Sequence, residues 1–189
     1  MKTKTKIINL FGGPGVGKST TATGVFSKLK QSGVVCEYVS EYAKDLSWSK
    51  SFSLLENQVH VFGEQFTRQW NLIDQVDYVI TDSPLLLSSM YYEYYLEKSK
   101  QKLFSKDYQA MAINFYDSTF LEFNNINFFI RRNKNYVPIG RNQTEDEAKD
   151  IDLAIYNKLT NLNIDYIETD SLNSIEDVLT VIRKEKNQE

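Results

Sequence analysis

The chain has 189 residues, 41% of them hydrophobic and 25% charged, with a net charge of −3. That length suits one domain with a single sizeable core. The acidic balance excludes a protein that grips nucleic acid chiefly through bulk positive charge. Cys36 is the only cysteine, which rules out an internal disulfide and suits a reducing, cytoplasmic setting. The basic start Lys2-Thr3-Lys4-Thr5-Lys6 precedes an apolar run too short for a signal-peptide core or a bilayer span, so no membrane role is expected.

Lys6 to Phe11 is a short apolar run ending at Gly12-Gly13, the pattern of a buried parallel strand. Residues from Lys18 to about Gln31 predict a helix stopped by Gly33, and Val34 to Val39 a second strand. From Leu54 to about Leu72, Leu55, Val59, Phe62, Phe66 and Trp70 recur at helical spacing, with Gln58, Gln65 and Arg68 on the intervening face. Val76 to Thr81 is the third expected strand, closed by Asp82-Ser83-Pro84. Leu85 to about Phe123 reads as two helices split near Ser99 to Ser105, followed by a strand at Asn127 to Ile130 and a polar loop to Gln143. A helix from about Glu145 to Leu162, a strand from Ile164 to Glu168 and a helix from Ile175 to Lys184 complete the chain. No repeat or Pro/Gly/Ser linker interrupts it. The expectation is one α/β domain over residues 1–189, a five-stranded parallel sheet with helices on both faces.

The strongest chemical signal is Gly12-Gly13-Pro14-Gly15-Val16-Gly17-Lys18-Ser19, which fits the Walker A spacing of a P-loop. It follows an apolar strand and opens a helix, the context in which backbone N–H groups cradle phosphate oxygens and the helix adds its positive end. Lys18 is expected to reach the β- and γ-phosphates of ATP, and the Ser19 hydroxyl to bind Mg²⁺. Asp82, at the end of the third strand, stands where a Walker B carboxylate would hold Mg²⁺ directly or through water. No glutamate follows it of the kind most water-activating motor ATPases use, and no GTPase guanine-reading motif is evident. These absences favour a small kinase over a motor or a GTPase.

Four segments carry a family resemblance: Gly12 to Thr20, Ser40-Glu41-Tyr42-Ala43-Lys44-Asp45-Leu46, Ile80 to Leu87, and Gly140-Arg141-Asn142-Gln143-Thr144. Together they resemble the nucleoside and nucleotide kinase branch of P-loop proteins, and more closely a set of small phage-type proteins described as AAA-family ATPases. The chain is also similar to the kinase domain that phosphorylates nicotinamide riboside. The resemblance implies ATP and Mg²⁺ as cofactors, with Gly12, Gly13, Pro14, Gly15, Val16, Gly17, Lys18, Ser19 and Thr20 around the phosphates.

The resemblance also implies roles on the acceptor side. A glutamate at the place of Glu41 takes the acceptor proton in deoxynucleoside kinases, while Asp82 is the competing base. Trp48 becomes a possible pocket wall, and Gln58, Gln65 and Arg68 candidates for reading a base edge or acceptor phosphate. The stretch from about 131 to 147 corresponds to an arginine-bearing lid, with Arg131, Arg132 and Arg141 as candidates for neutralising transferred charge. The loop Thr169 to Ser174 corresponds to one that passes the adenine.

The expected activity is transfer of the γ-phosphoryl group to a nucleoside, nucleotide or related small molecule. Two alternatives stay open: a polynucleotide or modified-base DNA kinase, and an ATP-dependent regulatory NTPase. The run Tyr91-Tyr92-Glu93-Tyr94-Tyr95, with Lys98, Lys100, Lys102 and Lys106 beyond it, could stack nucleic-acid bases. Burial of alternate tyrosines is favoured for it, and an exposed tyrosine face could equally make a homodimer contact.

Overall fold

Lys6–Phe11 forms strand β1, and its period of two sends successive side chains to opposite faces. Ile7 and Phe11 join one apolar cluster, Ile8 and Leu10 the other, and all four are fully buried. A strand buried on both faces must be central, and β1 is. The other strands are β2 (Cys36–Val39), β3 (Tyr78–Thr81), β4 (Asn124–Arg131) and β5 (Ile167–Asp170). They form one sheet of order β2-β3-β1-β4-β5, every pairing parallel, as expected. The computed structural model describes residues 3–98, 105–133, 136, 137, 139 and 143–186.

The helices are α1 (Lys18–Gln31), α2 (Tyr42–Trp48), α3 (Phe52–Glu56), α4 (Gln58–Trp70), α5 (Leu86–Lys98), α6 (Lys106–Leu121), α7 (Glu145–Asn161) and α8 (Ser174–Lys186). Val25 and Leu29 of α1 and Val178 and Ile182 of α8 pack with Ile8 and Leu10 on one face. Phe62 of α4, Met90 of α5, Tyr116 of α6 and Ile151 of α7 cover the other with Ile7 and Phe11. α7 begins with a capping box in which Thr144 and Glu147 satisfy each other's backbone N–H groups. Among the described residues no helix is long and apolar enough to cross a membrane.

Several local expectations give way. The single helix expected over Leu54 to Leu72 breaks at Asn57, whose side chain accepts from His60 N and caps α4, as asparagine does well. The buried row of α4 is Gln58, Val61, Phe62, Gln65 and Gln69. Val59 and Trp70 of the apolar series are about half exposed. α2 was not foreseen, because seven residues are too few to show a helical period. β4 starts earlier than expected, at Asn124, where polar Asn9, Asn125 and Asn127 bond side chain to side chain along the sheet. The tyrosine run lies on α5: Tyr92 is in the core, and Tyr91 and Tyr94 pack partly buried against it. Residues 99–104 lie outside the described set, as do the side chains of Tyr95 and Lys98.

Candidate active site

Because all strands run one way, the segments after β1, β2 and β3 emerge at one edge of the sheet, where open α/β sheets bind ligands. The register pairs Asn9 with Thr81 and Val39 with Thr81, so the loops opening at Gly12, Ser40 and Asp82 are neighbours. Between them lies a cavity of about 350 Å³. Its phosphate end is lined by Pro14, Gly15, Gly17, Lys18, Ser19 and Thr20. Its far end is lined by Glu41, Ala43, Lys44, Ser47 and Trp48 from the start and body of α2, Leu55, Gln58 and Val61 from α3 and α4, and Leu87, Ser88 and Tyr91 beside them.

The phosphate end is made of backbone. Gly17 precedes α1 at φ 107°, a left-handed conformation that glycine tolerates and side chains resist. That turn aims the N–H groups of the first helical turn toward the cavity rather than along the chain. Val16, 2% exposed, anchors the loop from beneath in the apolar cluster around Ile8 and Leu10. The Lys18 ammonium rests on the carbonyls of Gly12 (2.6 Å) and Gly13 (3.0 Å). Burial lowers its pKa below the ordinary lysine value, and the carboxylates of Glu41, Asp82 and Asp152 oppose that shift. A lysine held by carbonyls among carboxylates is ready to exchange them for phosphate oxygens.

Glu41 is the N-cap of α2 by position, yet its side chain makes no capping bond. Its carboxylate is therefore uncommitted to its own helix and lines the cavity instead. Desolvation raises its pKa above the ordinary 4.5, with the Lys18 ammonium as the main counterweight and Asp82 adding to the rise. Two neighbours hold the turn around it. Gln65 accepts from Tyr42 N at 3.0 Å and donates to Ser40 O at 3.3 Å, bracketing Glu41 on both sides. Arg68 bonds Asp45 at 3.0 Å and stands 4.9 Å from the centre of the Tyr42 ring, securing α2 from outside. Gln65 and Arg68, expected on the acceptor side, hold the turn and helix that carry Glu41 and are not among the cavity-lining residues. Gln58, only grouped with them in sequence, does line the cavity. Trp48 stands on the rim, 62% exposed. His60 bonds Tyr42 Oη at 2.8 Å and stays away from the cavity lining.

Asp82 is 1% exposed. One carboxylate oxygen accepts from Tyr38 Oη at 2.9 Å, while the other is buried with no partner among the described residues. A buried acceptor without a donor is costly unless something else meets it. A hydrated Mg²⁺ fits that need, with Ser19 lining the cavity beside the phosphate loop as the second protein oxygen. Contact with Asp82 raises the pKa of Tyr38, adding to the effect of burial, so its phenol stays protonated and keeps donating. Sequence reading missed Tyr38, since a strand tyrosine carries no sign of what it faces.

Arg132, expected in the lid, donates its guanidinium to Asp152 at 2.8 Å and to the Pro14 carbonyl at 2.9 Å, which fastens it to the phosphate loop. Arg131 pairs with Glu168 across the exposed β4–β5 edge. Arg141 lies outside the described residues, as do Lys134 and Gly140.

A protein-family model described as an AAA domain matches residues 7–177. No curated protein matches. Among solved structures, deoxyadenosine kinase from M. mycoides with the products dCMP and a flexible dCDP bound aligns with a TM-score of 0.63 at 16% identity, covering 97% of this chain and 100% of that one. The same kinase with bound dATP gives 0.60 at 16% identity, covering 95% and 98%. NadR protein in complex with NR gives 0.58 at 11% identity, covering 87% of this chain and 43% of that one. At such identities the likeness establishes the fold alone, a five-stranded parallel sheet flanked by helices. The family match extends over nearly the whole chain, and the protein belongs to that AAA-domain family.

Proposed function

We propose that the protein is an ATP-dependent phosphotransferase whose acceptor is the hydroxyl of a nucleoside or a close relative of one. One observation carries this reading: an uncommitted carboxylate, Glu41, shares a single cavity with the phosphate loop, at its junction with a largely uncharged far end. Beyond Glu41 and the phosphate loop the described lining is Ala43, Ser47, Trp48, Leu55, Gln58, Val61, Ser83, Leu87, Ser88, Tyr91, Ile139 and Gln143, with Lys44 the only cation. A phosphate-bearing acceptor calls for bidentate arginines, and no arginine is among the described lining residues. An apolar and aromatic wall with a few amides and hydroxyls suits a neutral heterocycle attached to a sugar.

The chemistry follows. Glu41 accepts the proton of the acceptor hydroxyl, the freed oxygen forms a bond to the γ-phosphorus, and the bond to the β,γ-bridging oxygen breaks. ADP departs with that electron pair. Lys18 and the N–H groups of the loop neutralise charge on the transferred group. Mg²⁺, held by Ser19 and Asp82, would neutralise phosphate charge when bound. The buried Tyr38–Asp82 bond leaves Asp82 an unsuitable base and favours Glu41 for that role.

The test is to incubate the protein with Mg-ATP and a panel of nucleosides, mononucleotides, nicotinamide riboside and oligonucleotides, following transfer by mass. A phosphorylated nucleoside or nicotinamide riboside is the expected product. Transfer confined to mononucleotides or oligonucleotides, or ADP release indifferent to every acceptor, would sink the reading.

A further inference from the structure

Asp152 lies on α7, a helix whose first turn holds Glu145, Asp146 and Glu147, and nothing in that acidic sequence singles it out. Its two oxygens nevertheless do different things. One accepts from Gly13 N at 2.5 Å, and the other accepts from Arg132 Nε at 2.8 Å. Arg132 in turn donates to the Pro14 carbonyl at 2.9 Å. The first residues of the phosphate loop are therefore gripped from behind by a carboxylate and a guanidinium, both largely buried.

The grip reaches Lys18 through one peptide plane. Among the described residues no peptide is cis, so the carbonyl of Gly12 and the N–H of Gly13 point opposite ways. Asp152 takes the N–H on one side, and the Lys18 ammonium rests 2.6 Å from the Gly12 oxygen on the other. The glycine at position 13 fits the same picture. The Walker A spacing does not require it, but a Cβ there would stand 2.5 Å from Asp152 Oδ1 and 2.6 Å from the Ala148 carbonyl. Only glycine admits α7 this close to the loop.

We propose that Asp152 is a positioning residue of the phosphate site: it sets the Gly12–Gly13 peptide and with it the seat of Lys18, while Arg132 fixes the carboxylate and the Pro14 carbonyl. The charge balance agrees. Burial lowers the Lys18 pKa, Glu41, Asp82 and Asp152 act against that, and Arg132 acts with it. This inference rests on the phosphate-loop half of the proposed function and is independent of the acceptor.

Calorimetric titration with Mg-ATP tests it without any acceptor, so its failure is separate from failure of the nucleoside reading. Asp152→Ala should raise the Kd about tenfold, the scale of one lost charge-assisted hydrogen bond. Arg132→Ala should weaken binding too, and the double variant should be no weaker than Asp152→Ala alone, because the two act through one contact. A second readout separates positioning from mere support. Asp152→Asn, which keeps an oxygen for Gly13 and loses only the charge, should recover part of the affinity lost in Asp152→Ala. If Asp152→Ala melts near the assay temperature, Asp152→Glu carries the test, since it keeps the charge but its longer side chain displaces the carboxylate from Gly13 N and should raise the Kd. Unchanged Kd in folded Asp152→Ala or Asp152→Glu, an Asp152→Asn no tighter than Asp152→Ala, or additive losses in the double variant, would overturn the proposal.

Discussion

The two ends of the cavity are built from different material. At the phosphate end the contacts come from backbone N–H groups shaped by glycines, with one lysine adding charge. At the acceptor end they come from side chains on α2, α3, α4 and α5, brought together only by folding. A triphosphate is the same in every user of ATP, and a backbone cradle suits a constant ligand. The acceptor wall must instead be specific, and side chains can be exchanged without rebuilding the loop. Substitutions at the two ends should therefore fail differently: one end loses nucleotide, the other loses transfer while nucleotide still binds.

The largest effect is expected from Lys18→Ala, which removes the only side-chain cation on the described phosphate-loop lining. Phosphoryl transfer should fall by about a thousandfold, the upper range for losing a single transition-state charge contact. Mg-ATP affinity should fall with it, measured by the same calorimetric titration. A variant that transfers normally would dissolve the contrast between the two ends.

Glu41→Gln should act on the other side of that contrast. Transfer should drop about a hundredfold, as for a removed general base, while ATP affinity stays within about twofold of the unaltered chain. Because burial raises the Glu41 pKa, the acid limb of the rate profile should lie above the ordinary 4.5 and vanish in the glutamine variant. Stability runs the opposite way. The folded chain binds this proton more tightly than the unfolded one, so the group's favourable contribution is full below 4.5 and is lost as pH rises through the raised value. Glu41→Gln should flatten that part of the melting-temperature profile.

The same contrast governs how much could be read in advance. Gly12 to Ser19 declares itself because backbone geometry demands glycine at fixed spacing, and the alternation of apolar runs with helical segments foretells the parallel sheet. Glu41 and Asp82 are legible by position, each standing where a strand ends. Gln65 and Arg68 share a helical face with Gln58, which lines the cavity, but Gln65 is spent on the turn around Glu41 and Arg68 on Asp45, contacts that helical spacing does not reveal. The pairing of Arg132 is illegible for a related reason. Polar surroundings suggest an exposed loop, whereas its partner Asp152 lies twenty residues on, at a distance no local pattern spans.

Gln65 gives an intermediate test, since it shapes the acceptor end without touching its ligand. Gln65→Leu would strand the Tyr42 N–H and the Ser40 carbonyl, costing about 1–3 kcal/mol of stability. Displacement of the Glu41 turn should lower kcat about tenfold. ATP affinity should hold, and a melting curve run beside the kinetics would separate the two losses. An equal fall in ATP binding would mean that the two ends are not independent.

The smallest effect belongs to Trp48. Its indole is mostly exposed, yet it lines the rim of the acceptor end. An exposed tryptophan there gains burial only when a flat ligand covers it, and stacking on one aromatic face is worth about 1–3 kcal/mol. Much of that gain is offset by ordering the side chain, so Trp48→Ala should raise the acceptor KM about fivefold with kcat nearly unchanged, the pattern of lost uniform binding. Tryptophan fluorescence offers an independent check, because Trp70, the other indole, lies on α4 outside the cavity lining. Quenching by the accepted nucleoside should disappear in Trp48→Ala and persist in Trp70→Phe. If it persisted in Trp48→Ala instead, the ring would lie outside the acceptor site, and the wall would begin at Leu55 and Gln58.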